Sequence, residues 1–193
     1  DFWVLALDDI SSGDSFLFTD HGWRASGSFR DSEGSRLYTF AGNVSSGAIF
    51  QITSLNSTAD AGSFALASSG DQVTIYTGTT ASPTHVYALN NDGAGVWAAD
   101  ATSSNNSALP TGLVNGTTAV ALDEVDNAVF DFATHGSAKT ASDWLTAIGN
   151  KDNWVGSNTV NQSPSVGSVT VVPEPSAALM GIFGLGGLLI RRR

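Results

Sequence analysis

The sequence predicts a mainly β fold, a β-sandwich with one short helix near residues 142–149 and a C-terminal hydrophobic helix. Three observations point there. Only 13% of the 193 residues are charged, and Ser, Thr, Asn and Gly dominate the polar content, which suits half-buried strands and turns better than helices rich in Glu and Lys. Short apolar or alternating runs recur between Gly, Asn and Asp punctuation along most of the chain. Ahead of the last twenty-two residues, helical spacing of apolar residues is confined to a single stretch.

Taken in order, Phe2 to Leu7 is a bulky apolar run, and Asp8-Asp9-Ile10-Ser11-Ser12-Gly13 supplies turn chemistry before Ser15 to Thr19, where Phe16 and Phe18 alternate with Ser15, Leu17 and Thr19. These predict a hairpin with a long loop. Asp20-His21-Gly22-Trp23 breaks the strand, and Gly27 to Gly34 is irregular and polar. Leu37 to Phe40 and Ala48 to Ile52 are the next strands, followed by Gly62 to Leu66, Gln72 to Thr77 and His85 to Leu89. Ser12-Gly13, Ser46-Gly47 and Ser69-Gly70 each open a strand at irregular spacing, a recurring turn and not a repeat unit. Asn90 to Gly93 is a turn, Ala101 to Asn106 a polar loop, and Thr118 to Leu122 with Ala128 to Phe132 a strand pair around residues 123–127. Ser142 to Gly149 reads as the helix, with Thr140 or Ser142 as N-cap, Gly149 as the stop, and Trp144, Leu145 and Ile148 on one face. Val166 to Val172 is a closing strand or a linker. The chain therefore divides into a domain at 1–154, a connecting stretch at 155–171 and a tail at 172–193. Because it opens on Asp1-Phe2-Trp3-Val4, in the manner of a strand interior, an N-terminal segment is expected to precede it.

The tail has its own physics. Pro173 and Pro175 hold Val172 to Pro175 extended and open to an enzyme. Ala177 to Ile190 carries no charge, and as a helix those fourteen residues span roughly 21 Å against a hydrocarbon core of about 30 Å. Arg191, Arg192 and Arg193 extend the reach by placing their guanidinium groups at the interface, and they predict a cytoplasmic end, with residues 1–171 outside. Pro173-Glu174-Pro175, the short Gly-containing apolar helix and the terminal arginines resemble the PEP-CTERM sorting signal of Gram-negative bacteria that make exopolysaccharide. The resemblance implies an exported protein whose tail, anchored transiently in the inner membrane, is processed near Pro-Glu-Pro by an exosortase. It implies nothing about activity.

Net charge is −10, but the tail arginines conceal a sharper imbalance: residues 1–171 carry 17 acids against 5 bases. Such a surface excludes a nucleic-acid partner, having no basic stripe to meet phosphates. No cysteine is present, so no disulfide framework supports the fold.

The most chemical-looking group is Asp20, Trp23, Arg30 and Glu33, a carboxylate at a strand end beside a large aromatic and an Arg with carboxylate neighbours. The preferred reading is structural: Trp23 fills the core and Arg30 pins an irregular loop by hydrogen-bonded pairing with Glu33 or Asp20. Asp123, Glu124, Asp126, Asn127 and Asp131 have the oxygen density that calcium uses, yet without the order of an EF-hand loop, so they are weak candidates and a solvated acidic loop is preferred. His21, His85 and His135 lack metal-ligand spacing, and Trp3, Trp23, Trp97, Trp144 and Trp154 are spread as core residues, although aromatics of this kind can line a sugar-binding face.

Phe2, Leu5, Leu7-Asp8-Asp9-Ile10, Phe18-Thr19-Asp20-His21-Gly22-Trp23, Ser69-Gly70-Asp71-Gln72 and Trp154 are also similar to a β-rich module found in secreted bacterial proteins, to which no activity is assigned. The function expected is a non-enzymatic surface or matrix protein with a structural, adhesive or exopolysaccharide-associated role and no cofactor. The alternative is a secreted hydrolase, or an accessory module of one, using the Asp20 to Glu33 region.

Overall fold

The structure, a computed structural model, describes residues 1–31 and 33–174. It is mainly β. The strands are β1 (Phe2–Leu5), β2 (Ser15–Thr19), β3 (Trp23–Arg24), β4 (Ser28–Phe29), β5 (Ser35–Thr39), β6 (Ile49–Ile52), β7 (Thr58–Ala61), β8 (Gln72–Thr79), β9 (Ser82–Asn90), β10 (Ala119–Ala121), β11 (Asn127–Phe130), β12 (Lys139–Thr140), β13 (Trp154–Ser157) and β14 (Val171–Val172). The helices are α1 (Phe132–His135) and α2 (Ala141–Gly149), with a single 3₁₀ turn at Lys151–Asn153.

One six-stranded sheet, in the order β10-β9-β8-β2-β5-β7, carries the architecture, and four two-stranded sheets surround it. Alternation along β2 and β8 sends residues to its two faces. Leu17 and Tyr76 point to one face, where Trp23, Phe29 and Ala108 complete a buried cluster. Phe18 points to the other, against Phe2 of β1 at 5.1 Å between ring centroids, while Tyr38 and Phe40 meet Phe50 of β6 at 5.9 and 5.4 Å. The β1-β6 pair thus covers that face. Its own far side supplies Leu5 and Ile49 to a third cluster built on Phe130, Phe132 and Trp144. Fully burying side chains of this size stabilises by about 1.5–3 kcal/mol each, which is what a chain without disulfides depends on.

The Ser-Gly turns behave as read: Gly13, Gly47 and Gly70 have φ of 92°, 88° and 96°. At Gly47 the reason is also steric, because a Cβ there would stand 2.1 Å from the Val169 carbonyl oxygen. The predicted helix is α2, capped by the Thr140 hydroxyl, which accepts from Asp143 N–H at 3.1 Å. A second helical turn, α1, was not legible; the Asp131 carboxylate starts it by accepting from Thr134 N–H at 3.1 Å.

Two pairings and the position of one strand differ from expectation. β1 and β2 are not hairpin partners: β1 is antiparallel to β6, and β2 lies between β5 and β8. The segment after Leu7 instead meets the loop after β5 through the Ile10–Val44 bridge, a long-range contact that local turn chemistry does not encode. The strand expected at 62–66 stands at Thr58–Ala61, because Ala65 N–H donates to the Asp20 carboxylate at 2.7 Å and not to a neighbouring strand. β10 runs parallel to β9, and β11 antiparallel to β13, so the two are not a pair. The loop between them is drawn to the turn after β9, with Glu124 N–H on the Gly93 carbonyl at 2.9 Å and Asn91 Nδ2 on the Val125 carbonyl at 2.9 Å.

Residues 167–172 lie against the domain. Val169 N–H donates to the Gly47 carbonyl at 2.8 Å, the Trp144 indole N–H to the Thr170 carbonyl at 3.1 Å, and β14 runs parallel to β12. Among the described residues no helix is long and apolar enough to cross a membrane, and the expected helix at 177–190 lies outside them.

Candidate functional site

The structure divides the Asp20, Trp23, Arg30 and Glu33 group. Trp23 is in the core, 4.9 Å from Phe29 and 4.5 Å from His85 between ring centroids. Asp20 and Glu33 instead join Asp71 and Gln72 in a buried polar cluster where β2 ends and β8 begins. Sequence reasoning gave Asp71 and Gln72 no chemical role. The signal that could have found them was Ser69-Gly70-Asp71, a turn that delivers a carboxylate to a strand start just as Thr19-Asp20 delivers one to a strand end.

Asp20 has no exposed surface. Its two carboxylate oxygens accept from Gly34 N–H at 2.8 Å and Ala65 N–H at 2.7 Å, tying together the two segments just beyond the end of the β5-β7 ladder. Thr19 adds its hydroxyl to the Gly34 carbonyl at 2.8 Å. Asp71 works alike, accepting from Gln72 N–H at 2.8 Å and Ala67 N–H at 2.7 Å. The Gln72 amide nitrogen donates to the Asp20 carbonyl and, at 2.7 Å, to the Ser104 carbonyl, with a Glu33 carboxyl oxygen 3.4 Å away. Two carbonyl acceptors fix which end of that amide is nitrogen. Its oxygen and the Thr74 hydroxyl are then buried without a hydrogen-bond partner, a local cost of polar burial.

The electrostatics follow from this crowding. Burial, reinforced by the Asp20 and Asp71 charges, pushes Glu33 from an ordinary 4.5 up to about 8, with Arg30 and the Gly22 N–H pulling the other way. Burial likewise raises Asp71 from 3.8 to about 6. Both groups hold protons in the fold that the unfolded chain has released, so their stabilising state is complete below about pH 4 and is lost as pH rises through 6 and then 8. The expected result is a melting temperature that declines from about pH 5 to pH 8. Glu33→Gln should flatten the upper part of that decline and add roughly 1 kcal/mol at pH 8, the shift being discounted because Glu33 is only half-buried. A Glu33→Gln protein less stable than its parent at pH 8 in a thermal melt contradicts this.

The histidines do not converge on a metal. His21 Nδ1 accepts from Glu33 N–H at 3.3 Å, His85 Nδ1 is 3.0 Å from the Thr111 carbonyl, and His135 ends α1 against Phe130. Burial lowers the proton affinity of His85. Of the calcium candidates, Asp123 pairs with Lys151 at 3.0 Å, Asp131 caps α1, and Asp126 N–H donates to Asn158 Oδ1 at 3.1 Å. Among the described residues no three acids or histidines are grouped so as to hold a metal ion. Trp23 and Trp144 are buried, Trp97 and Trp154 half-buried, and Trp3 is 43% exposed, so the five form no common face.

Of the residues expected to form a sorting motif, Pro173 and Glu174 are described and exposed, just beyond β14. The Glu174 carboxylate accepts from Ser142 N–H at 3.3 Å, in the first turn of α2, where a negative charge is favoured. Pro175, Arg191, Arg192 and Arg193 lie outside the described residues. No family model, characterised protein or solved structure matches the chain.

Proposed function

We propose that this chain is an exported, non-enzymatic surface or matrix protein, a β-sandwich delivered by a PEP-CTERM tail to an exosortase. The observation that carries the proposal is the order of the last twenty-two residues: Pro173-Glu174-Pro175, then the uncharged stretch to Ile190, then three arginines. Two features of the domain agree with it. Val171 is packed against the Phe130, Phe132 and Trp144 cluster, so the folded body reaches almost to the motif, and Pro173 and Glu174 then emerge at its surface. The carboxylates that a hydrolase would use are engaged elsewhere: Asp20 and Asp71 are 0% and 4% exposed, and each accepts two backbone N–H groups. The raised proton affinity of Glu33 is the feature that favours the hydrolase alternative, since a general acid needs one. Burial and crowding by Asp20 and Asp71 account for it without a substrate.

Changing Pro173, Glu174 and Pro175 together to Ala should leave the melting temperature within a few degrees of the parent, because Pro173 and Glu174 are exposed and the last residue packed on the core cluster is Val171. It should also abolish processing and hold the protein in the membrane fraction. Unaltered processing of the triple variant in cell fractions sinks the sorting proposal.

A further inference from the structure

Away from the acidic cluster, an open groove of about 460 Å³ lies between α2, the turn that follows it and the loop ahead of β10. That volume falls within the range of about 300–1,000 Å³ usual for small-ligand sites. Its floor is made by backbone: Gly149 comes so close to Gly116 that a Cβ on Gly149 would stand 2.3 Å from the Gly116 carbonyl carbon. Polar side chains line the walls, among them Asn115, Thr146, Asn150, Lys151 and Asp152.

Hydrogen bonding sets what those side chains can offer. The Asn115 amide oxygen accepts from the Trp97 indole N–H at 2.9 Å, and the Asn150 amide oxygen accepts from Asp152 N–H at 3.1 Å. Both amides are thereby oriented, and both leave their NH₂ groups for a ligand. Thr146 donates its hydroxyl proton to the Ser142 carbonyl at 3.1 Å, which leaves its oxygen to accept. The Asp152 carboxylate is exposed and adds a strong acceptor. Trp97 stands behind Asn115, outside the groove's lining, and packs on the Ala88, Leu113 and Ala119 cluster, which fixes that amide in place. Oriented amides, a carboxylate and a hydroxyl acceptor, set close together around a backbone floor, match a ligand that presents many hydroxyls.

Charge narrows the class. Lys151 is paired with Asp123 at 3.0 Å, so the groove with Asp152 is net negative, in a chain of net charge −10. A polyanion is disfavoured there. We infer that this groove binds a neutral polysaccharide, taking one or two sugar rings of the chain. Such binding supplies a partner for the surface role proposed above and rests on that reading only for where the partner is met.

The test is affinity electrophoresis of the full chain through gels containing a glucan, a mannan or a xylan, with a polyuronate as the anionic comparison. The result expected is retardation by at least one neutral polysaccharide, with binding weakened at least tenfold in Asp152→Ala and in the groove-filling Thr146→Trp. Both positions are exposed, so unchanged melting temperatures are expected of both variants, and if Thr146→Trp fails to fold, Asp152→Ala carries the comparison. No retardation by any neutral polysaccharide, retardation by the polyuronate alone, or full retention of binding in Asp152→Ala overturns the inference. None of these outcomes bears on processing of the tail, and unaltered processing of the Pro-Glu-Pro variant leaves the binding result standing.

Discussion

Asp20→Ala should lower the unfolding free energy by about 2–4 kcal/mol, because it strands one buried and one half-buried donor at once. Gly34 N–H and Ala65 N–H both rest on this fully buried carboxylate, the first in a buried hydrogen bond and the second in a half-buried one. At roughly 2–4 °C per kcal/mol for a domain of this size, the melting temperature should fall by about 10 °C. Asp20→Asn should lie between, since its one carbonyl oxygen can serve one of the donors while its NH₂ opposes the other. The same substitutions remove a charge that crowds Glu33, so Glu33 should titrate closer to its ordinary value in either variant. Functional carboxylates are often held at some cost to the fold, and relieving them commonly stabilises. An Asp20→Ala protein as stable as its parent would therefore move the cluster from a structural tie to a working site.

Trp144→Ala should cost about 3–5 kcal/mol, by a different route. The indole has no exposed surface and sits at the centre of the cluster shared by α2, β11 and the β1-β6 pair. Its N–H also holds the Thr170 carbonyl at 3.1 Å, in the segment that leads to Pro173 and Glu174. Trp144→Phe removes that hydrogen bond and leaves a gap where the larger ring was, so it should cost about 2 kcal/mol. Both variants should make residues 167–174 more susceptible to limited proteolysis, with Trp144→Ala the more severe. Equal proteolysis of parent and Ala variant would mean that the segment is not held by this contact.

Much of the fold was legible because its determinants are local. β8 and β9 announce themselves by alternation, the Ser-Gly turns by their need for positive φ, and α2 by the hydroxyl of Thr140 and the glycine at 149. What failed was pairing. Nothing in Phe2 to Leu7 says that its partner is Ile49–Ile52 and not Ser15–Thr19, because both candidates are apolar and both lie beyond a plausible turn. The parallel match of Ala119–Ala121 to Ala88–Asn90 is set by packing of small residues over a long sequence separation. The candidate site was half legible for the same reason. Asp20 and Glu33 drew attention as nearby acids, but the partners that define their chemistry, Asp71 and Gln72, arrive from a strand that the sequence places far away. The groove was not legible at all, since it exists only where Gly116 and Gly149 meet.

Intact-mass spectrometry of the protein recovered from producing cells tests processing of the tail most directly. In cells with an exosortase, the mature chain should be found outside the inner membrane with a C-terminus near Pro173 to Pro175, its uncharged stretch and Arg191–Arg193 removed. In cells without the enzyme, or with the Pro-Glu-Pro variant, the mass should retain all three arginines and the protein should remain with the membrane. A chain that keeps Arg193 in the presence of an active exosortase, or that is found in the cytoplasm, contradicts the account.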